Sequence, residues 1–246
     1  MMKKIMILIF TLLLLSGYVS ARQEEASSIS FFGGITSLSM EAVNANMPAT
    51  FWSTEEDIKT FGGGYVAGVD LAFEFMPGIS IGPRAEYIGA FDASAAERYI
   101  LNTVEHTYSA SIIPVMLGMQ AVYRESRSPF ALGLGLFWGY GFANFKDTAD
   151  TVITATGATT TTTVVRTGGG EAAELFLRMD YEVEDLMTLG IFAGYRKANA
   201  IHMKATEATE SLSTDIGDEW LSGGTGEPMV VSFNGWYFDL GLVFKF

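Results

Sequence analysis

In this chain of 246 residues the apolar side chains recur at every second position, segment after segment. No other feature limits its fold so strongly. Residues 65–75 show it best. Tyr65, Ala67, Val69, Leu71, Phe73 and Phe75 form one row, and Val66, Gly68, Asp70, Ala72 and Glu74 form the other. Successive side chains of a strand point to opposite faces, so a long two-residue period means a strand lying between two different solvents. The pattern returns over 79–91, 108–123, 130–144, 173–183, 188–198 and 234–246. Residues 28–40 make a further strand, with faces left ambiguous by the adjacent Phe31 and Phe32. The count is eight.

Composition decides which solvents those are. The chain is 49% hydrophobic and 17% charged, against about 25% charged in ordinary soluble domains. A spanning helix needs about 20 consecutive apolar residues, and no segment supplies them. The apolar rows are bulky on nearly every strand, while the opposite rows mix glycine with acids and arginine. A soluble β-sandwich would have to bury all the bulky rows in one core. A transmembrane barrel turns them to lipid and the polar rows to its lumen. Strands of about 9–11 residues suffice to span, and closure satisfies the backbone groups that lipid cannot. The expected fold is all-β, a closed antiparallel eight-stranded up-and-down transmembrane β-barrel.

Connection lengths and aromatics agree with it. Short links at 76–78, 124–128 and 184–187 alternate with long ones, as periplasmic turns alternate with external loops. An even strand count puts both termini on the periplasmic side. Tyr65, Tyr87, Phe91, Trp138, Tyr140, Tyr195 and Trp236 fall near the external ends, and Phe75, Tyr123, Phe130, Phe244 and Phe246 near the periplasmic ends. Two such girdles suit the two membrane interfaces.

The N-terminus reads as a leader. Lys3 and Lys4 precede an apolar run, Ile5 to Leu15, broken by Thr11, and small residues follow through Val19-Ser20-Ala21. This is the pattern of a secretory signal peptide cleaved after Ala21, leaving residues 22–246 as a single barrel domain. The mature chain keeps all 28 acidic residues and loses two of its 15 basic ones. Such an acidic chain disfavours nucleic acid, which needs basic surface. The absence of cysteine excludes disulfides, thiolate metal sites and cysteine nucleophiles.

Pro83 and Pro114 stand inside strands, where each removes a ladder donor. A bulge is expected near Pro114. It would turn Tyr108, Ala110 and Ile112 to lipid before it, and Val115, Leu117 and Met119 after it.

The ending, Tyr237-Phe238-Asp239-Leu240-Gly241-Leu242-Val243-Phe244-Lys245-Phe246, resembles the last strand of Gram-negative outer-membrane barrels. The mature chain resembles the small OmpA/OmpX-like family of eight-stranded barrels. The resemblance implies an outer-membrane protein that passes through periplasmic chaperones to the barrel-assembly machinery. Phe238, Leu240, Leu242, Phe244 and Phe246 would be the assembly signal. Family likeness does not fix an activity.

Eight strands enclose a lumen that side chains just fill. The inward charged candidates are Asp70, Glu74, Arg84, Glu86, Glu174, Arg178, Asp180, Glu182, Arg196, Asp239 and Lys245, with Gln120. Buried charge must be paired. Asp70 and Glu74 are expected near Arg84, and Glu174 and Asp180 near Arg196, as a plug of ion pairs. Function is then left to the loops, which carry 15 acidic and five basic residues and could display a surface for a host or surface ligand. Ser94 to Arg98 is helix-compatible, and the threonines of 151–163 favour strand. Asp215, Asp218 and Glu219 lack the spacing of a calcium loop.

No catalytic, cofactor-binding or metal-binding residue is assigned. Glu105-His106-Thr107-Tyr108-Ser109 is the sole local meeting of acid, histidine and serine, and His106 and Ser109 would point to opposite faces. The expected role is surface interaction, adhesion or envelope integrity without catalysis. One alternative is an OmpW-like narrow conduit for small hydrophobic compounds, for which Phe137, Phe176 and Phe192 would line the lumen. The other is a lipid-active enzyme. An open apolar upper lumen would favour the conduit, and a closed charge network the plug.

Overall fold

The computed structural model describes residues 27–45, 58–99, 101–126, 128–209, 215–221 and 227–246. The segment read as a leader and the loop acids Glu55, Glu56, Asp57 and Glu210 lie outside them. Eight strands form a ring: β1 (Ser28–Ser37), β3 (Gly63–Met76), β4 (Ile79–Ala90), β6 (Asn102–Arg124), β7 (Phe130–Ile153), β8 (Thr159–Glu184), β9 (Met187–Ala208) and β11 (Gly235–Lys245). Each pairs antiparallel with the next, and β11 returns to β1 through Ser28↔Lys245 to Thr36↔Tyr237. Three short strands, β2 (Ile58–Lys59), β5 (Ala93–Arg98) and β10 (Val231–Ser232), and one helix, α1 (Glu41–Ala45), belong to the loops.

Alternation sorts the side chains. On β1, Ser30 and Phe32 turn inward while Phe31 and Ile35 stand exposed, which resolves the ambiguous faces. The outward rows of all eight ring strands are bulky and exposed, from Phe73 on β3 to Leu240 on β11. An apolar belt this large belongs against lipid. Ring contacts run along its margins, with Tyr65–Tyr87 at 5.9 Å and Tyr195–Trp236 at 5.3 Å above, and Phe130–Tyr181 at 5.1 Å below. Among the described residues no helix is long and apolar enough to cross a membrane.

The expected bulge at Pro114 is absent. Ile112↔Ala143, Ile113↔Phe142, Pro114↔Gly141 and Val115↔Tyr140 run without a shift, and Tyr108, Ala110 and Ile112 are buried inside the barrel. The proline's missing donor points the other way, at β4. That ladder keeps its register but skips from Ala85↔Val115 to Ile88↔Ile112. Pro83 does the same toward β3, where pairing skips from Asp70↔Arg84 to Phe73↔Ile81. A closed barrel thus accommodates each proline by losing a rung, without slipping register.

The short turns follow local chemistry. Pro77 fixes the chain before Gly78, whose φ of 74° is one that other residues adopt at a cost. The Gly78 N–H donates to Glu74 Oε1 at 2.6 Å.

Above the belt the ring opens. β7 and β8 run for 24 and 26 residues, more than twice the 9–11 or so that crossing requires. Their outward rows change from apolar to polar, as Phe142 gives way to Asn144 and Lys146, and Leu175 to Glu171. The threonine-rich segment is a paired hairpin, from Asp147↔Val164 to Val152↔Thr159. The helix-compatible residues 94–98 are strand. β5 pairs with β6 from Ala93↔Tyr108 to Arg98↔Thr103, burying Ala93 and Ala95 on one face, and sheet pairing overrides local propensity. The result is an external sheet in the order β2-β5-β6-β7-β8-β9.

Candidate functional site: a charge ring beneath an apolar chamber

The lumen is filled in tiers. In the middle, two arginines and two glutamates alternate in a closed ring. Arg84 Nε lies 2.7 Å from Glu86 Oε1, and Arg84 Nη2 lies 3.0 Å from Glu174 Oε1. Arg196 Nη2 lies 2.7 Å from Glu86 Oε2, and Arg196 Nε lies 3.8 Å from Glu174 Oε2. Asp70 adds a third carboxylate to Arg84 at 3.3 Å. Tyr237 donates its hydroxyl to Glu174. All four ring members are sealed from solvent. Such a buried set holds because every charge has an opposite neighbour on more than one side.

Aromatic rings wall this cluster. The Arg84 guanidinium stands 3.9 Å over the Phe32 ring and 4.8 Å over Phe176, with Phe137 and Phe192 at 5.6 and 5.9 Å. Desolvated cation–π contacts of this kind are the strong ones. Room for the rings comes from glycine. Gly68 pairs directly with Phe32, Gly118 with Phe137, and Gly135 with Phe176. A Cβ on any of the three would lie within 2.5 Å of the facing ring. The inward glycines are therefore sockets.

Below, Arg178 Nε meets Asp180 Oδ1 at 2.7 Å, and its Nη1 donates to Gln120 Oε1 at 2.9 Å. Asp180 thus pairs with Arg178, two residues along β8, in place of the expected Arg196. At the mouth on the side of the short turns Glu182 pairs with Arg124 and, at 3.5 Å, with Lys245. Glu74 is at this lower level too, where it accepts from the Gly78 N–H of the turn. Asp239 is fully buried, yet neither of its carboxylate oxygens accepts a hydrogen bond.

The upper lumen is an apolar chamber that the loops themselves fill. Its walls carry small side chains, Ala110, Ala143, Ala172, Ala198 and Ala200. Into it project Leu38, Met40, Val43 and Phe61 from the first loop, and Val231 and Phe233 from the last. Trp220 packs against this group, 4.6 Å from Phe145. Asn44 pins the first loop, donating to the Phe61 carbonyl at 2.9 Å and accepting from its N–H at 3.0 Å. Phe233 N–H donates to the Ala198 carbonyl at 2.7 Å. Sequence reading missed this chamber. Its traces were Met40 and Val43 at helical spacing, and Met229, Val231 and Phe233 at alternate positions.

Both histidines of the chain pair with carboxylates above the belt. His106 Nδ1 is 3.1 Å from Asp147 Oδ1, and that hydrogen bond raises the imidazole above its ordinary range. His202 Nδ1 is 2.5 Å from Glu219 Oε1. Glu219 is therefore turned from Asp215 and Asp218, which bond each other instead. Among the described residues no group of three or more acidic or histidine side chains is placed to hold a metal.

No protein-family model matches the chain, and no curated protein matches it. Solved structures do. The outer membrane protein OprG from Pseudomonas aeruginosa is 13% identical, with 90% of this chain and 97% of that one covered and a TM-score of 0.43. The attachment invasion locus protein Ail of Yersinia pestis is 14% identical, covering 91% and 100% at a TM-score of 0.36. Outer Membrane Protein W of Escherichia coli gives 14%, 91%, 100% and 0.36. The fold is that of an eight-stranded transmembrane barrel on the strength of its own closed ring of strands.

Proposed function

We propose that this chain is an outer-membrane barrel of a Gram-negative bacterium that acts through its external sheet and loops, with no transport through its lumen and no catalysis. One observation carries the reading: the lumen is filled at two heights, by the alternating Arg84–Glu86–Arg196–Glu174 ring and by the packed chamber above it. The strands continue well beyond the apolar belt, so fold and length are invested outside the membrane. On this reading the long hairpins face outward and both termini lie in the periplasm. The acidic side chains of that exterior, among them Glu97, Glu105, Asp150 and Glu207, favour a basic or cation-bridged surface partner. Adhesion and envelope integrity are the roles that fit. Ser109 lies on the other face of β6 from His106, so this local serine is not placed for the imidazole to activate it.

Planar-bilayer recording tests the plug. The purified full chain should give no large, stable conductance, and an ohmic pore would refute the reading. Replacing 147–164 by a short turn tests the surface role. It should leave the barrel folded and lower cell adhesion; unchanged adhesion would count against the role.

The alanine-lined chamber favours a second reading. If the loops withdrew, its walls would suit a small hydrophobic compound. Saturable binding of a fluorescent apolar probe, competed by filling the wall with Ala198→Leu, would support that reading over the first.

A further inference from the structure

We propose that the outward face of β6 and β7, directly above the apolar belt, is a seat for the phosphorylated saccharide of an outer-leaflet glycolipid. The inference rests on the outer-membrane reading for the leaflet and adds a partner to it.

The order of the outward rungs carries it. Ile113↔Phe142 is the last apolar rung between these strands, and both side chains stand exposed. Above it come Ser111↔Asn144, Ser109↔Lys146 and Thr107↔Thr148. All six point outward, because the alternate residues Tyr108, Ala110, Ala143 and Phe145 are buried inside. Thr107, Asn144 and Lys146 are exposed, and the other three are half-buried. Acids return at the next rung, Glu105↔Asp150. The flanking strands extend the same chemistry. Ser94 of β5 pairs with Thr107, and Thr163 of β8 pairs with Thr148, their hydroxyls 3.5 Å apart. At about 3.3 Å per residue, the three rungs cover about 13 Å of strand.

This chemistry matches one kind of neighbour. Hydroxyl and amide side chains both donate and accept hydrogen bonds, as sugar hydroxyls do, whereas a carboxylate only accepts. Lys146 stands in the middle rung, between Ser109 on β6 and Val165 on β8. No acid on either adjoining strand sits across from it, and a lysine ammonium is a point-charge ligand for phosphate. The face is also the open one. Its reverse side is taken up by the chain's own loops, with Trp220 4.6 Å from Phe145. Continuity with the belt chooses between a membrane glycolipid and a free saccharide. On β7 the outward row runs from Trp138, Tyr140 and Phe142 straight into Asn144, Lys146 and Thr148. A glycolipid lays its acyl chains on the first three and its phosphorylated sugar on the next three. A free saccharide would leave the apolar half of that surface unused.

The chain has no cysteine, so Thr107→Cys carries a single fluorescent label into the patch, and Ala155→Cys carries one to the tip of the long hairpin. The full chain is folded into phosphatidylcholine nanodiscs, with or without lipopolysaccharide truncated to lipid A and its inner core sugars. Acrylamide quenching at position 107 is expected to fall several-fold when the glycolipid is present, with quenching at position 155 unchanged. Lys146→Glu should abolish that protection and Lys146→Arg should keep it. Ser109→Asp with Asn144→Asp, which brings acids down to the two lower rungs, should abolish it too. Circular dichroism verifies folding in each case. Equal quenching at position 107 in both kinds of disc overturns the proposal. So does the same protection from phosphatidylglycerol at equal charge, or from the soluble core saccharide without acyl chains. Membrane fractionation of cells tests the location separately: a chain found in the outer membrane whose label stays open to acrylamide sinks this inference alone.

Discussion

Gly135 on β7 lies directly across the ladder from Phe176 on β8, and a Cβ on it would come within 2.2 Å of the Phe176 ring. That ring is one of the four around Arg84. Gly135→Val should therefore lower barrel stability by about 1–3 kcal/mol through overpacking. Urea unfolding from lipid vesicles, followed by tryptophan emission, measures it. A change near zero would show that Phe176 has another rotamer available.

Arg84 contacts three carboxylates at once. Arg84→Met leaves them buried without their shared cation, and truncating one side of such a set costs about 3–5 kcal/mol. Planar-bilayer conductance of the folded fraction should stay closed, because the phenylalanine wall and the chamber above persist.

Pro114→Ala restores a donor aimed at β4, opposite Glu86. The added hydrogen bond contributes about 0.5–1.5 kcal/mol, while the freer unfolded chain removes about 0.4–1 kcal/mol. Net stability should hardly move. Hydrogen exchange should show a new, strongly protected amide at position 114. A fast-exchanging amide there would mean that the donor faces elsewhere.

The Asp147 hydrogen bond holds His106 above its ordinary range. A raised folded-state value means that protonation of His106 favours the folded external sheet. Its contribution is complete below about pH 6.5, the unfolded imidazole's value, and fades as pH rises through the folded value. NMR titration of the His106 ring should give a midpoint above that of the unfolded chain, and Asp147→Asn should lower it.

Ala198 forms chamber wall where Phe233 docks. Ala198→Leu adds bulk to a filled space, so the last loop should be pushed out before the barrel yields. Limited proteolysis should cut within 215–234 sooner than in the parent, with barrel dichroism unchanged.

The period of two made the ring of strands, its lipid face and its inward charges readable from sequence, because a strand has only two faces. Pairing between charges was readable only in part. Asp70 and Arg84 sit on adjacent strands in register, whereas Asp180 turned to Arg178 on its own strand, a choice that depends on rotamers. Pro114 misled through an assumption. A missing donor predicts a bulge, but the ladder omits a rung and keeps register. The chamber stayed hidden because loop residues such as Phe61 and Phe233 meet the wall only after the chain has folded back. The histidine pairs span 41 and 17 residues, too far for local pattern to reveal.

The charge ring draws its members from both ends of the chain. Arg84 and Glu86 arrive with the early strands, and Glu174 and Arg196 with the late ones. Each arginine needs a glutamate from the opposite half. A partly assembled barrel facing lipid would therefore hold an arginine and a glutamate in each half, each short of its second partner, in a medium that tolerates such groups poorly. Sealing the cylinder and closing the ring of ion pairs are one event, and an intermediate with half its staves in the bilayer leaves each arginine without the glutamate that its closed neighbour supplies.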